Sequence, residues 1–342
     1  MRILAFVKSE IPAVNTVRVV WPLKELSDLG YHTRIAGNED VTTAMRDGKT
    51  DQFLGYDLYI LGRTHGPRDG NPFEELRGSG KAPIIYDTDD DLLDDDRLFG
   101  YSDYVRQTCE MVDAITVSTE PLARKMERFG KPVYVIPNRL NIKFYREISL
   151  AAKRQIPQLT IGLVGTPTHW QDWQEVVEPL RAIARKYPDV RIVCGGYLPE
   201  YMKFIDGIIH IAPCHFSDYP AMLRQVDIRL SPLARTSFNE CKSGIAALEA
   251  MASARNLPRG KLGGAVPICS KVPAYEGAVE HGVNGFLVDG PEGWQPILER
   301  LIEEADYRNT IAAQGFNWVR KQDVSRYARD RMAVYQTITR GM

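Results

Sequence analysis

The sequence lacks any uninterrupted run of eighteen apolar residues, the length a membrane-spanning helix needs. Its six histidines form no HxH or HExxH pair, which removes the usual zinc patterns and leaves no expected metal site. The five cysteines (109, 194, 214, 241 and 269) are scattered, odd in number and without a CxxC spacing. That is the usage of reduced thiols in a cytoplasmic protein. A net charge of −1 gives no global attraction to nucleic acid or anionic lipid. The opening stretch MRILAFVKSE is too short in apolar residues, and lacks a small-residue cleavage site, for a signal peptide. It reads as a first buried strand.

What is present is an ordinary globular composition, 44% hydrophobic and 25% charged, in 342 residues. This length suits two domains of about 150 residues each. Short apolar runs alternate with amphipathic stretches almost from end to end. RILAFV, HTRIA, DLYILGR, APIIYDTDD, AITVST and VYVIPN form a first set, and VRVVWPLKELSDLG between the first two has helical periodicity with a glycine at its end. After the polar stretch REISLAAKRQIPQ the pattern restarts with LTIGLVG, VRIVCGG, IHIAP, IRLSPL, AVPICSK and GFLVDG. Near-continuous β-rich runs alternating with helices imply parallel sheets covered on both faces. The expected architecture is α/β: a Rossmann-like domain over 1–150, a second over 151–320, and a final helix over 321–342 crossing back to the first. Two such domains would leave a cleft at the carboxyl ends of their strands, where this fold class binds ligands.

Two stretches of the second domain carry chemistry. In IGLVGTPTHWQDW, Gly165 permits close backbone approach, Thr166, Thr168 and Asp172 are able to cap the next helix, and the free amides of a helix start suit an anion. A single glycine is also an ordinary strand–helix turn, and a lone His169 is more often structural, because no full GxGxxG fingerprint is present. In FNECKSGIAALEAMA, Asn239, Lys242, Ser243 and Gly244 precede a helix of small and apolar residues. A lysine and a hydroxyl at a helix N-terminus supply what a diphosphate needs. Glu249, seven residues beyond Lys242, lies on roughly the same helical face and is suited to ribose hydroxyls.

These residues resemble the donor-binding segment of GT-B glycosyltransferases, particularly glycosyltransferase family 4 and its relatives. Asn239, Lys242, Ser243, Leu248 and Glu249 match a variant signature N-x-x-K-S-x-x-K-x-L-E, with Ala246 in place of the second lysine. Cys241 stands where the first glutamate of the family's usual pair would be. IGLVGTPTHWQDW is similar to the G-s-x-x-H-x-x-D turn, and VPAYEGAVEHGVNGFLV to the late strand–helix–strand signature. VSTEPLARKM and VIPNRLN look like the close of the first domain, and NTVRVVWPLKELSDLG like its opening helix. The resemblance implies sugar transfer from a nucleotide donor (a UDP- or GDP-sugar) to an acceptor hydroxyl, with retention, without metal and without another cofactor. It places Gly165, Thr166, His169, Arg235, Asn239, Lys242, Ser243, Gly244 and Glu249 at the donor, and Asn15, Arg18 and Asn138 towards the acceptor or the cleft.

Within this frame YDTDDDLLDDD, with seven aspartates in eleven positions, falls at the carboxyl end of a first-domain strand. It resembles relatives that read D-x-D-D-D-L, which makes Asp87, Asp89, Asp90 and Asp91 candidates to orient or deprotonate the acceptor. Crowded carboxylates raise one another's pKa, which favours a base near neutral pH. Asp94 to Asp96 suit a solvated capping loop. A D-x-D metal site is the competing reading, set against a diphosphate already met by protein charge. Other functions share the architecture: a nucleotide-sugar 2-epimerase, a transferase acting on modified DNA bases, and a non-catalytic nucleotide-sugar-binding protein. The basic stretches ARKMERFGK and RNLPRGKLGG lead from a helix into a strand, which puts them opposite the cleft and disfavours nucleic acid as acceptor. A saccharide, lipid-linked glycan or other hydroxyl fits the acceptor role.

Overall fold

The structure is a computed structural model, and it describes residues 1–8, 12–63, 82–93 and 102–341. The chain divides into two compact units. The first comprises Met1–Arg139, Glu240–Ser243 and Val324–Met342, and the second Leu140–Asn239 and Gly244–Asp323.

Each of the twelve apolar runs is a strand, and the strands form two six-stranded parallel sheets. In the first unit β1 (Arg2–Val7), β2 (His32–Gly37), β3 (Leu58–Gly62), β4 (Ile84–Thr88), β5 (Ala114–Val117) and β6 (Val133–Val135) lie in the order β2-β1-β3-β4-β5-β6. Chain direction across the sheet reverses between β1 and β3, and ligands of such sheets bind beyond the carboxyl ends near that point. Burial on both faces explains the apolar runs: Leu4 and Phe6 of β1 enter one core, while Ile3, Ala5 and Val7 enter the other.

Helix α1 (Trp21–Asp28) ends at Gly30, whose φ of +91° is the left-handed geometry of a helix stop. It is entered through a π-helical turn, Thr16–Val20, that contains Arg18. Helices α2 (Asn38–Arg46), α3 (Ser102–Met111) and α4 (Glu120–Met126) connect the later strands. The C-terminal helix of this unit (Ala328–Arg340) buries Ala328, Met332, Tyr335 and Ile338 at helical spacing against the β1 face that carries Ile3 and Ala5.

In the second unit β7 (Thr160–Gly165), β8 (Arg191–Gly196), β9 (Ile209–Ile211), β10 (Ile228–Ser231), β13 (Val266–Ser270) and β14 (Phe286–Val288) are ordered β14-β13-β10-β7-β8-β9. This is the strand order of dinucleotide-binding Rossmann domains, and its reversal point lies between β7 and β10. A small antiparallel ribbon, β11 (Arg255–Asn256) with β12 (Leu262–Gly263), was not signalled by apolar runs. Helix α5 (Ile142–Ala151) opens the unit, α6 (Val177–Lys186) follows β7, and α7 (Tyr219–Leu223) precedes β10. Pro179 sits in the first turn of α6, where a missing N–H costs no helical bond. Helices α8 (Ile245–Ala252), α9 (Trp294–Glu303) and α10 (Ala305–Val319) complete the layers.

Candidate functional site

The first unit gathers charge at the carboxyl ends of β3 and β4. Asp87, the last but one residue of β4, is 1% exposed and accepts from Arg18 through both oxygens, Nε to Oδ1 at 2.9 Å and Nη2 to Oδ2 at 2.6 Å. The Thr116 hydroxyl donates to the same carboxylate at 2.7 Å. Arg18 spends its remaining nitrogen on Ile136 O and Asn138 Oδ1, at 2.5 and 3.0 Å. Although burial opposes its charge, the Asp87 carboxylate holds the Arg18 pKa above its usual value. Asn15 is buried and donates to Lys8 O.

The next three aspartates each meet a cation. Arg63, just past β3, lies 2.9 Å from Asp90 Oδ2 and 3.6 Å from Asp89 Oδ1. Lys242 approaches Asp90 Oδ1 at 4.0 Å, and Lys125 of α4 pairs with Asp91. Backbone oxygens in the turn are also fixed: Ser118 donates to Asp89 O and Thr88 to Asp90 O. Asn138 bridges the group, its Nδ2 donating to Ser243 Oγ at 2.9 Å and reaching Asp89 Oδ2 at 3.3 Å. Burial, then the neighbouring Asp90 charge, push the Asp89 carboxyl above the usual range. The carboxylates are therefore held by protein cations, and no set of three or more His, Cys, Asp or Glu side chains grouped for a metal occurs among the described residues. Asp94, Asp95 and Asp96 lie outside the described residues.

In the second unit the reversal point is lined by the turn after β7 and the segment after β10. A Cβ at Gly165 would stand 2.9 Å from His169 Cδ2 and 3.1 Å from Trp173 Cζ2, so only glycine lets the ring of His169 fold over the strand end. His169 stacks on Trp173 with an interplanar angle of 4° and shares a 2.9 Å hydrogen bond from Nδ1 to Asp172 Oδ2. The other oxygen of Asp172 accepts from Ala234 N at 3.0 Å and Asn239 Nδ2 at 2.7 Å, so one buried carboxylate ties His169 to the segment after β10. Against the effect of burial, the His169 bond and these two donors hold the Asp172 carboxyl below its ordinary range. The expected caps take a different form. Thr166 makes no capping bond and pairs instead with Thr168 at 2.8 Å, and Asp172 serves His169, because a tight 3₁₀ turn over Pro167–His169 replaces a regular helix start.

Helix α8 begins at Gly244 with no side-chain cap, directly after Lys242 and Ser243. A Cβ on Gly244 would meet Ala274 O and Ala278 Cβ, each at 2.8 Å, so the helix start packs closely on the following layer. Glu249 is 9% exposed and not a surface residue. It accepts from Tyr145 OH at 3.1 Å, Tyr219 OH at 2.9 Å and Arg229 Nη1 at 3.0 Å. Arg229, in the middle of β10, also donates to Ala246 O and Val164 O. Arg235 is exposed and paired with Asp289.

Sequence reasoning missed Arg229, Arg63 and Lys125. An arginine inside the apolar run IRLSPL was a readable signal, since a buried guanidinium requires a carboxylate. The other two are distant in sequence from the aspartates they meet and carried no local mark. Among the described residues no helix is long and apolar enough to cross a membrane.

Comparison with solved structures finds likeness over nearly the whole chain. The HepE protein of Anabaena, solved with UDP and glucose, has a TM-score of 0.68 at 14% identity, over 98% of this chain and 99% of that one. A glycosyltransferase from Rickettsia africae gives 0.70 at 12%, over 98% of both chains. Sucrose-phosphate synthase from Thermosynechococcus elongatus gives 0.67 at 12%, over 100% of both. No protein-family model matches the sequence, and no curated protein matches it. At such identities the likeness carries the fold, which is the α/β, two-sheet fold of these GT-B proteins.

Proposed function

We propose that the protein is a glycosyltransferase resembling family 4, moving a sugar from a UDP- or GDP-sugar to an acceptor hydroxyl. The observation that carries this reading is the turn at the β7/β10 reversal point, where Gly165, His169, Asp172 and Asn239 form one fixed constellation in a Rossmann-ordered sheet. The fold shared with HepE, solved with UDP and glucose, supports it further.

In this reading Lys242, Ser243 and the uncapped start of α8 receive the donor diphosphate. His169, oriented by Asp172, contacts the sugar or phosphate. Glu249 carries the ribose contact through whatever acceptor capacity its three donors leave. Asp89 and Asp90 orient the acceptor hydroxyl, while Asp87 is a positioning residue that fixes Arg18 and, through it, Asn138. The leaving diphosphate takes the acceptor proton and the sugar is transferred with retention, protein cations supplying the charge a metal would otherwise provide. Asn15 sits at the entry to the π-helical turn and donates to Lys8 O; Arg235 contacts phosphate only after leaving Asp289.

Calorimetric titration of UDP, GDP, ADP and dTDP, and their glucose derivatives, into wild type and Lys242→Ala tests this. One nucleotide is expected to bind selectively, at least about tenfold more weakly in the variant. Absence of binding by any of them sinks the transferase reading. Donor epimerised or hydrolysed without an acceptor would move the assignment to the epimerase class.

A further inference from the structure

The basic stretch RNLPRGKLGG takes no part in the proposed transfer. Its first residue, Arg255, lines a pocket of about 370 Å³ at the amino-terminal end of the second sheet, where β7, β10 and β13 begin, opposite to Gly165 and Ser231. The pocket is lined by Arg154, Arg224, Asp227, Arg255, Arg308 and Asn309, among others. These residues come from the segment before β7, the turn before β10, the β11–β12 ribbon and helix α10, elements joined only by the fold.

Four guanidiniums face one carboxylate here. Arg154 holds Asp227 with two bonds, Nη1 to Oδ1 at 2.8 Å and Nη2 to Oδ2 at 2.5 Å. Arg255 donates to the same Oδ1 and to Val226 O. Thr160 N adds a further donor to Asp227 at 2.9 Å. The carboxylate is thus met by two arginines and a backbone amide, and among the described residues Arg224 and Arg308 form no ion pair with it. Arg255 is 5% exposed, yet its Nε has no hydrogen-bond partner among the described residues. Arg308 turns Nη1 to Leu301 O and Ile302 O, and Arg224 makes no side-chain hydrogen bond among the described residues. Burial and the charges of Arg224 and Arg154 outweigh Asp227 and push Arg255 down to about 10, and burial also lowers Arg224 and Arg308. An uncompensated cluster of this kind is costly unless an anion completes it.

We propose that this pocket is a second ligand site, which binds the phosphate or diphosphate group of a soluble phosphorylated small molecule. Guanidinium forks match phosphate oxygens in pairs, and Arg224, which lines the pocket without a side-chain hydrogen bond among the described residues, supplies such a fork. The volume exceeds that of bare phosphate and lies within the range of small-ligand pockets. Asn256 and Asn309 line it beside the arginines and are able to bond to the organic part.

Hydrogen exchange of the full chain with inorganic pyrophosphate, against sodium chloride at equal ionic strength, tests the proposal. Segments 224–227 and 253–264 are expected to gain protection saturably. The midpoint is expected to rise about tenfold in Arg224→Gln and to be largely restored in Arg224→Lys, the effect of one charge-assisted contact. Arg224 is half-buried and its side chain makes no hydrogen bond among the described residues, so both variants should keep the fold, which circular dichroism checks. Protection confined to residues 165–172 would mean binding at the donor turn alone and overturns the proposal. So does an unchanged midpoint in Arg224→Gln. Protection by vesicles containing phosphatidylinositol phosphate, but not by pyrophosphate, would replace the soluble ligand with a lipid headgroup and equally overturn it.

Discussion

Arg18 and Asp87 form a two-pronged ion pair in which both side chains are 2% exposed. Its bonds are 2.6 and 2.9 Å long, and the partners are 69 residues apart. One member sits in a π-helical turn and the other at a strand end, so the pair fixes the geometry from which the aspartate run leaves the sheet. Removing one partner strands a buried charge, a loss of about 3–5 kcal/mol. Arg18→Ala and Asp87→Ala should each lower stability by that order in urea unfolding, and the double variant by clearly less than their sum. Additive losses would show that the two side chains are not coupled.

Asp89 gives a different expectation, because its pKa is raised by burial and by Asp90. As pH rises past the ordinary aspartate value, about 3.9, the unfolded chain releases this proton first. The folded state therefore loses stability between the unfolded pKa and the higher folded one. Asp89→Asn removes that titration. Its stability relative to wild type should rise through this window and stay level above it, with no gain at lower pH. Thermal unfolding across pH reads this directly; a flat difference would mean that Asp89 is not raised.

How much of this was legible in the sequence follows from where each signal resides. Central strands buried on both faces write themselves as apolar runs, and the partly exposed edge strands β2, β6 and β9 as shorter ones, so β1 to β10, β13 and β14 are readable without coordinates. The placement of the aspartates beyond β4 followed from the same pattern. Their partners could not be read, because Arg63, Lys125 and Lys242 reach them only through the order of strands in space. Glu249 is legible in the sequence as a carboxylate that an otherwise apolar helix does not explain. That its donors are Tyr145, Tyr219 and Arg229 depends on three other elements, and nothing local marks them.

Asp172 sits at the junction of two segments and carries the opposite pH signature to Asp89. Its pKa is lowered, because the bonds from His169, Ala234 N and Asn239 outweigh the effect of burial. It contributes stability at neutral pH that is lost as pH falls from the ordinary aspartate value through the lower folded one. Asp172→Ala leaves Ala234 N without its acceptor and takes one of two acceptors from Asn239 Nδ2, which keeps Ala234 O, a loss of about 1–3 kcal/mol. The variant should also free the His169 ring from its Trp173 stack and weaken nucleotide binding under the proposed function. Calorimetry on folded variant separates the two effects; unchanged affinity would remove His169 from the donor site.

Glu249 and Arg229 decide how a binding experiment at the donor helix has to be designed. Glu249→Ala would leave Arg229, which is 3% exposed, without its carboxylate, and should cost about 3–5 kcal/mol. Loss of nucleotide binding in that variant would then report unfolding as readily as a lost ribose contact. Arg229→Met with Glu249→Leu removes both charges together and should recover much of the stability, because a buried pair replaced by apolar groups is often neutral. If the double variant is folded and fails to bind nucleotide, Glu249 or Arg229 contributes to the site itself. If it is folded and binds as wild type does, the pair serves only to join β10 to α8, and the ribose contact belongs elsewhere.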